Sequence, residues 1–180
     1  MNAFIYSLLV CIALCLILIW YINIYNRYQN YIIRINEAEA NIDSTLRKRF
    51  DLLNKSIGII KANIKKENAL DIIVKLRSKK LTNFELDRKL YDAINEFNKY
   101  KEDFPDLKTN EGFMKIELGI NETEAEVVAS RKYYNDIITD YNKLVRTFPS
   151  NVVAKISKYK TRPYFDGKNM DDDIVNDFKL

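Results

Sequence analysis

The sequence predicts an all-α protein, in which an N-terminal transmembrane helix continues into an elongated antiparallel helical bundle of three to four long helices. An apolar segment without Lys, Arg, Asp or Glu extends from Asn2 to Asn26. After it, apolar residues recur at alternating three- and four-residue steps, which is the period of one helix face. Only four glycines and three prolines occur in 180 residues, which leaves little room for the turns of a β-protein.

The apolar run from Phe4 to Ile22 predicts a helix that crosses a bilayer. A cleaved signal peptide is the alternative, but it needs a basic segment before the run, a shorter apolar core and small residues at the cut site. Trp20, Tyr21 and Tyr25 lie at the end of the run, where aromatic rings prefer the headgroup level. We therefore assign residues 1–26 to a transmembrane anchor that contacts the lipid bilayer through residues 4–22.

The charges on either side of the run predict its orientation. No Lys or Arg precedes it, whereas Arg27 and Arg34 follow closely. Because basic residues are retained on the cytoplasmic side, the expected location is the cell membrane, with a single span and a cytoplasmic C-terminal domain. The two cysteines, Cys11 and Cys15, lie one helical turn apart inside the run. We interpret them as small apolar residues, with metal binding or palmitoylation as the alternative.

Residues 27–165 predict the antiparallel bundle. The first apolar stripe follows the anchor without interruption, so one helix should leave the membrane and extend roughly 55 Å beyond it. A second helical stretch, from about Glu67 to Glu102, either stays whole or restarts at Thr82, which can form a capping box with Glu85. A third helix, beginning near Thr109 or Asn110 and ending at Phe148-Pro149, should measure close to 60 Å.

Two shorter segments complete the chain. Asn151 to Lys158 is a short amphipathic piece. Residues 166–180 are net acidic and show little periodicity, so they predict a mostly disordered tail.

The composition limits the chemistry that this chain can perform. It contains no histidine, which excludes imidazole bases, Ser-His-Asp and Cys-His systems and His-containing metal sites. Its four scattered glycines cannot form a phosphate-binding loop. Glu122, Glu124 and Glu126 crowd one helix, but alternate residues on a helix point apart, which favours a solvated face. We expect no catalytic, cofactor-binding or metal-binding residues, no small-molecule substrate and no enzymatic activity.

The first hairpin is strongly basic around Arg47, Lys48 and Arg49. Its other basic residues are Lys55, Lys61, Lys65, Lys66, Lys75, Arg77, Lys79 and Lys80. Such charge can meet nucleic acid or anionic lipid. However, no nucleic-acid-binding motif accompanies it, the net charge is only +4, and the hairpin tip should stand beyond the Debye length of about 8 Å from the membrane. We interpret it as a solvated face, with an acidic protein partner as the alternative and no nucleic acid expected.

Tyr134-Asn135 and Tyr141-Asn142 repeat at a seven-residue interval, which places both tyrosines on one side of the third helix. They are either core residues whose hydroxyl groups reach the edge of the bundle or a polar-aromatic ridge that receives another helix.

Several motifs in this order resemble the LemA family of bacterial membrane-anchored proteins. After the N-terminal span they read Tyr25-Asn26, Arg47-Lys-Arg49-x-Asp51-Leu52, Phe104-Pro-Asp-Leu-Lys-x-Asn110-x-x-Phe113, Thr123-Glu124, Arg131-x-x-Tyr134-Asn135, Tyr141-Asn142 and Phe148-Pro-Ser150. They extend from the anchor to about Phe165. The resemblance implies an all-helical antiparallel bundle on a single-pass anchor and carries no established molecular activity.

The sequence therefore favours a membrane-anchored, non-enzymatic interaction or scaffold protein that presents a stiff bundle to an unidentified protein partner. A structural component of the cell envelope that self-associates is the alternative. The candidate interaction surface consists of Arg47, Lys48, Arg49, Arg131, Tyr134, Asn135, Tyr141 and Asn142.

Overall fold

The computed structural model describes residues 2–64, 70–76 and 81–167, and within these ranges all regular structure is helical. The α-helices are α1 (Asn2–Ile64), α2 (Asp71–Leu76), α3 (Asn83–Asp103), α4 (Glu111–Arg146) and α5 (Ser150–Ser157), and a 3-10 helix, Pro105–Thr109, joins α3 to α4. The all-α prediction is confirmed. In this part of the chain three helices are long and two are short.

Helix α1 contains 63 residues and includes both the apolar run and the first apolar stripe. The predicted continuous helix is therefore confirmed, because no residue between the run and Ile64 leaves the helical conformation. Gly58 lies within this helix, where a glycine costs about 1 kcal/mol relative to alanine.

The middle of the chain forms two helices, since α2 ends at Leu76 and α3 begins at Asn83. Thr82 has extended backbone angles and caps α3. Its hydroxyl accepts the Glu85 N–H at 3.2 Å, and the Glu85 carboxylate accepts the Thr82 N–H at 2.9 Å. These bonds with Thr82 lower the pKa of the Glu85 carboxyl. The predicted capping box is confirmed, and it explains why a new helix starts here.

The described chain divides into two compact units. The first consists of residues 2–37 and 134–164, and the second of the described part of residues 38–133 together with 165–167. The division falls inside α1 and α4, whereas the sequence placed a boundary between residues 26 and 27. Of the predicted acidic tail, only Asp166 and Gly167 are described, and residues 168–180 lie outside the described ranges.

The core of the second unit is built from the predicted apolar stripes. Its fully buried members include Ala38, Ile42, Leu46, Leu53 and Ile60 of α1, Leu90, Ala93 and Phe97 of α3, and Phe113 and Val127 of α4. The Phe97 and Phe113 rings stack with centroids 4.4 Å apart.

Two glycines of α4 lie against α1 in the second unit. A Cβ on Gly112 would meet Ile59 Cδ1 at 3.0 Å, and one on Gly119 would meet Leu52 Cδ1 at 3.1 Å. The earlier glycine of α4 therefore meets the later residue of α1, and the later glycine meets the earlier residue.

The core of the first unit combines apolar and aromatic residues. Tyr28, Ile35, Ile137, Ile138, Tyr141, Leu144, Val153 and Ala154 are buried there. The sequence placed the end of the third helix at Phe148-Pro149, but the side chain of Phe148 is 81% exposed. The helix ends at Arg146, so Phe148 has already left the helical register that would have turned it inward.

Candidate interaction surface

The apolar run of α1 is exposed from Phe4 to Ile19, and Trp20 and Tyr21 at its end are partly buried. From Phe4 to Ile19 its large apolar side chains are between 48% and 74% exposed. By length and composition, α1 is therefore a candidate membrane span near the N-terminus.

Arg47 and Lys48, the first two residues of the proposed surface, have exposed side chains. Arg47 Nε donates to Asp43 Oδ2 at 2.7 Å, one helical turn earlier, and this bond raises the pKa of the guanidinium. Lys48 Nζ donates to Glu126 Oε1 of α4 at 3.0 Å, and both side chains are about half exposed. Exposed pairs of this kind contribute little to stability, so both cations can exchange their partners for others at small cost.

Arg49 differs from its two neighbours because it is 1% exposed. Its Nη2 donates to Glu124 Oε2 at 2.7 Å, and its Nε donates to Thr123 Oγ1 at 3.2 Å. Its Nη1 lies 3.8 Å from Asp87 Oδ1 on α3. Arg49 therefore joins three helices inside the second unit, and its side chain does not belong to the accessible surface.

Arg131 approaches the same carboxylate from α4. Its Nη2 forms an ion pair with Asp87 Oδ1, while its guanidinium lies over the Phe165 ring, 5.3 Å from the centroid. Phe165 in turn packs edge-on against Phe84. Asp87 Oδ1 and Arg131 Nε nevertheless make no hydrogen bond of regular geometry to any described residue. The contact is thus one of charge, and the side chain of Arg131 remains 31% exposed.

These residues form a cluster of alternating charge, which we call the polar layer: Arg49, Asp87, Thr123, Glu124 and Arg131. Burying such charges is costly unless each one is paired, and removing one member leaves its partner unpaired. Among the described residues, no group of three or more Cys, Asp or Glu residues is placed to hold a metal ion. Paired charges contributed by three helices suit a device that fixes helix register.

The Tyr141-Asn142 pair is buried in the first unit. Asn142 Nδ2 donates to the Arg162 carbonyl at 2.8 Å, and Asn142 Oδ1 accepts the Arg162 N–H at 2.8 Å. The Arg162 guanidinium lies over the Tyr141 ring at 5.8 Å. Burial raises the pKa of Tyr141, and the charge of Arg162 partly offsets the rise. Tyr141 therefore fills the core, while Asn142 holds the chain that follows α5 against α4.

Tyr134 is buried as Tyr141 is, whereas Asn135 is less buried than Asn142. Tyr134 is 8% exposed, and Asn135 is half-buried with its carbonyl accepting the Thr139 hydroxyl at 2.9 Å. Of the two interpretations of this repeat, the arrangement fits the core residues and does not fit an exposed aromatic ridge. The accessible part of the candidate surface is reduced to Arg47 and Lys48, with Arg131 and Asn135 partly exposed.

A tyrosine cluster surrounds Tyr28 in the first unit. The Tyr28 ring lies 6.0 Å from Tyr141 and 4.6 Å from Tyr159 between centroids. Its hydroxyl donates to the Leu144 carbonyl at 2.7 Å. Burial raises the pKa of Tyr28 to about 12. Gln29 Nε2 donates to the Tyr159 hydroxyl at 2.6 Å, which fixes the outer ring of the cluster.

The sequence interpretation missed Asp87, the carboxylate shared by two of the candidate arginines. A signal was present, because polar residues occupy positions of the apolar stripe. Arg49 and Ser56 alternate with apolar residues in the heptad series Leu46, Arg49, Leu53, Ser56, Ile60. A charged residue in such a register predicts a buried partner on a facing helix.

Over the residues that the structure describes, the regular structure is all helical and α1 is a candidate membrane span. The LemA family profile matches residues 38–177, which is most of the chain, and the protein belongs to the LemA family. The match begins after the apolar run and continues past Phe165, where the motifs recognised in the sequence ended. A comparison with curated proteins found no match.

Proposed function

We propose that this LemA-family protein is a membrane-anchored, non-enzymatic interaction protein that presents a stiff antiparallel helical bundle at the cytoplasmic face of the cell membrane. The exposed apolar run of α1 carries the proposal. Soluble proteins rarely expose contiguous apolar patches larger than roughly a few hundred Å². Moving such a surface from water into hydrocarbon releases about 25 cal/mol per Å². A bilayer would therefore stabilise residues 4–22 strongly.

The antiparallel arrangement is supported by contacts of the second unit. Ile59 meets Gly112, Leu52 meets Gly119, and Lys48 pairs with Glu126. As the residue number falls along α1, it rises along α4, which is the order expected for neighbouring helices of opposite direction.

The cytoplasmic orientation is supported by charge. The first basic residues after the run are Arg27 and Arg34, and none precedes it. A reporter fused after Leu180 in whole cells tests this part. We expect activity from a cytoplasmic reporter such as a β-galactosidase. Activity from an export-dependent reporter such as alkaline phosphatase would instead contradict the cytoplasmic orientation.

The interaction role is supported by Arg47 and Lys48, which are exposed on the same turn of α1 and bound only by weak surface ion pairs. We propose an acidic face of a protein partner as their target, because charge complementarity steers such encounters.

Site-specific photo-crosslinking in intact cells tests the interaction role. A photoreactive residue replaces Arg47 or Lys48 in the full chain, and the matched control replaces the exposed Lys99 of α3. A discrete crosslinked protein at positions 47 and 48 that is absent at position 99 supports the proposal. Identical patterns at all three positions contradict it.

Self-association into an envelope component is the second candidate, and one observation favours it. Met114, Leu118 and Val128 lie along one stripe of α4 and are 51%, 62% and 54% exposed. Analytical ultracentrifugation of the full chain in detergent separates the candidates. An oligomer that forms with increasing concentration and dissociates in Leu118→Lys favours self-association. A strict monomer at all concentrations contradicts self-association.

A further inference from the structure

We propose that α5 and the residues after it, Ser150 to Lys160, form a second membrane contact that binds anionic phospholipid headgroups in the leaflet where α1 leaves the bilayer. This segment is called the juxtamembrane patch. The inference rests on the proposed anchoring by α1, and it adds a lipid class and a binding surface to it.

A contact inside the first unit places the juxtamembrane patch beside the end of the apolar run. The Tyr21 and Ser157 hydroxyls share a hydrogen bond of 3.1 Å across 136 residues of sequence. Tyr21 belongs to the last turn of the apolar run, whose final residue is Ile22. The end of α5 is therefore held at the end of the span, where aromatic side chains occupy the headgroup region.

Aromatic packing fixes the same position independently. The Tyr159 ring lies 6.2 Å from Tyr25 and 4.6 Å from Tyr28 between centroids. Tyr25 stacks on Tyr21 at 6.4 Å, so the contact extends from the span to the first turns beyond it. Once α1 is inserted, residues 157–159 lie at the membrane surface.

The outer face of α5 carries two exposed apolar side chains beside Lys155. Val152 and Ile156 are separated by one helical turn and are 42% and 63% exposed, while Val153 and Ala154 on the other face are buried in the unit. A helix that directs apolar side chains outward at headgroup level matches the interfacial helices whose apolar face enters the boundary between headgroups and acyl chains.

The charge of the patch selects anionic lipid. Residues 141–165 contain no Asp or Glu, and their basic residues are Lys143, Arg146, Lys155, Lys158, Lys160 and Arg162. Lys155, Lys158 and Lys160 are exposed. Among the described residues of the first unit, the acidic ones are Glu37, Asp136 and Asp140, and all three lie outside the patch. Lysines beside exposed apolar residues bind anionic headgroups while the apolar residues insert, which favours a lipid surface over an acidic protein.

Depth-dependent fluorescence quenching tests the inference on the full chain. The variant Trp20→Phe/Ile156→Trp has its only indole in the patch, and Trp20→Phe/Val128→Trp is the matched control with an exposed position of the second unit. Both are reconstituted into phosphatidylcholine vesicles, with and without phosphatidylglycerol, that contain lipid brominated high on the acyl chain. We expect several-fold stronger quenching at position 156 than at position 128, and a further increase with phosphatidylglycerol.

Lysine substitutions test the role of charge. Lys155→Gln/Lys158→Asn/Lys160→Gln in the position-156 reporter should abolish the increase caused by phosphatidylglycerol. Asparagine is used at 158 because Lys158 has a left-handed backbone conformation, with φ of 58°, which asparagine tolerates. Lys89→Gln/Lys99→Gln/Lys108→Gln, which removes three exposed lysines of the second unit, should preserve the increase.

An alkaline wash of the vesicles separates the two proposals. Release of the protein by the wash contradicts the proposed membrane anchoring by α1, and with it this inference. Retention with equal quenching at positions 156 and 128 overturns the inference alone. Hydrogen exchange of residues 150–160 in the unsubstituted chain gives a second readout. Anionic vesicles should slow that exchange relative to neutral ones, and identical rates contradict the proposal.

Discussion

Arg49 Nη1 lies 3.8 Å from Asp87 Oδ1, and the two side chains are 1% and 5% exposed. Neither charge can be hydrated, so each depends on the other and on the remaining members of the polar layer. Such a pair adds little net stability compared with apolar residues of similar size. Removing one of the two partners is strongly destabilising, because the other charge stays buried without a partner. The layer therefore penalises any slip of one helix past another, because a slip would leave a buried charge without a partner.

The first prediction concerns Asp87. Asp87→Leu should lower the free energy of unfolding by about 1–3 kcal/mol, because Arg49 and Arg131 lose the buried carboxylate that they share and Arg49 keeps only Glu124. Arg49→Met/Asp87→Leu should recover part of the loss, since Arg49 no longer needs a partner while Arg131 still lacks Asp87. Thermal unfolding of the full chain in mild detergent, followed by circular dichroism, measures both, with the exposed Asp92→Leu as control. Additive losses in the double variant would show that the pair is not coupled.

The second prediction concerns alkaline pH. The pKa of Tyr28 is raised from 10.0 to about 12 by burial, so its neutral form stabilises the fold below pH 10 and this contribution is lost as the pH rises toward 12. Tyr28→Phe should cost about 0.5–1.5 kcal/mol at neutral pH, since one hydrogen bond is lost. It should also make the decline above pH 10 shallower.

Unfolding curves collected between pH 7 and pH 12 measure this effect. Phe97→Leu serves as a core control without a titratable group, and it should shift the whole curve without changing its alkaline slope. An unchanged slope in Tyr28→Phe would show that the hydroxyl ionises without cost to the fold.

The third prediction concerns the chain after α5. Asn142→Asp should release it from α4, because a carboxylate cannot donate to the Arg162 carbonyl and repels it instead. We expect a loss of about 1–3 kcal/mol and faster hydrogen exchange of the Arg162 amide. The exposed Asn121→Asp is the control. Retained protection of the Arg162 amide would mean that its N–H bond, which a carboxylate can still accept, and the Tyr141–Arg162 stacking suffice to hold the segment.

The fourth prediction compares two glycines. A Cβ on Gly58 would meet nothing within 4 Å. Gly58→Ala should therefore raise the free energy of unfolding by about 0.4–1 kcal/mol, because alanine lowers the conformational entropy of the unfolded chain. Gly119→Ala gains the same entropy, but its Cβ would lie 3.1 Å from Leu52 Cδ1, and Leu52 must shift. It should therefore be less stable than Gly58→Ala. Equal gains would show that Leu52 yields without cost.

Much of this fold could be predicted because helical periodicity is a local property. The stripes, the capping box at Thr82 and the end of the second helical stretch near Glu102 all depend on residues within a few positions of one another. The polar layer could not be predicted in the same way, since Arg49 finds its partners on α3 and α4. Tyr141 and Asn142 were ambiguous for a related reason. Only the position of Arg162, far along the chain, decides that Asn142 faces inward.

The bond between Tyr21 and Ser157 also has a consequence for biosynthesis. Its two residues are 136 positions apart, and the Gln29–Tyr159 bond spans 130. At translation rates of about 5–20 residues per second, α1 leaves the ribosome on the order of ten seconds before its partners in the first unit exist. During that interval Tyr21, Tyr25 and Tyr28 have no native cover. In the proposed membrane anchor, these amphipathic rings can contact the lipid headgroups until the last part of the chain covers them.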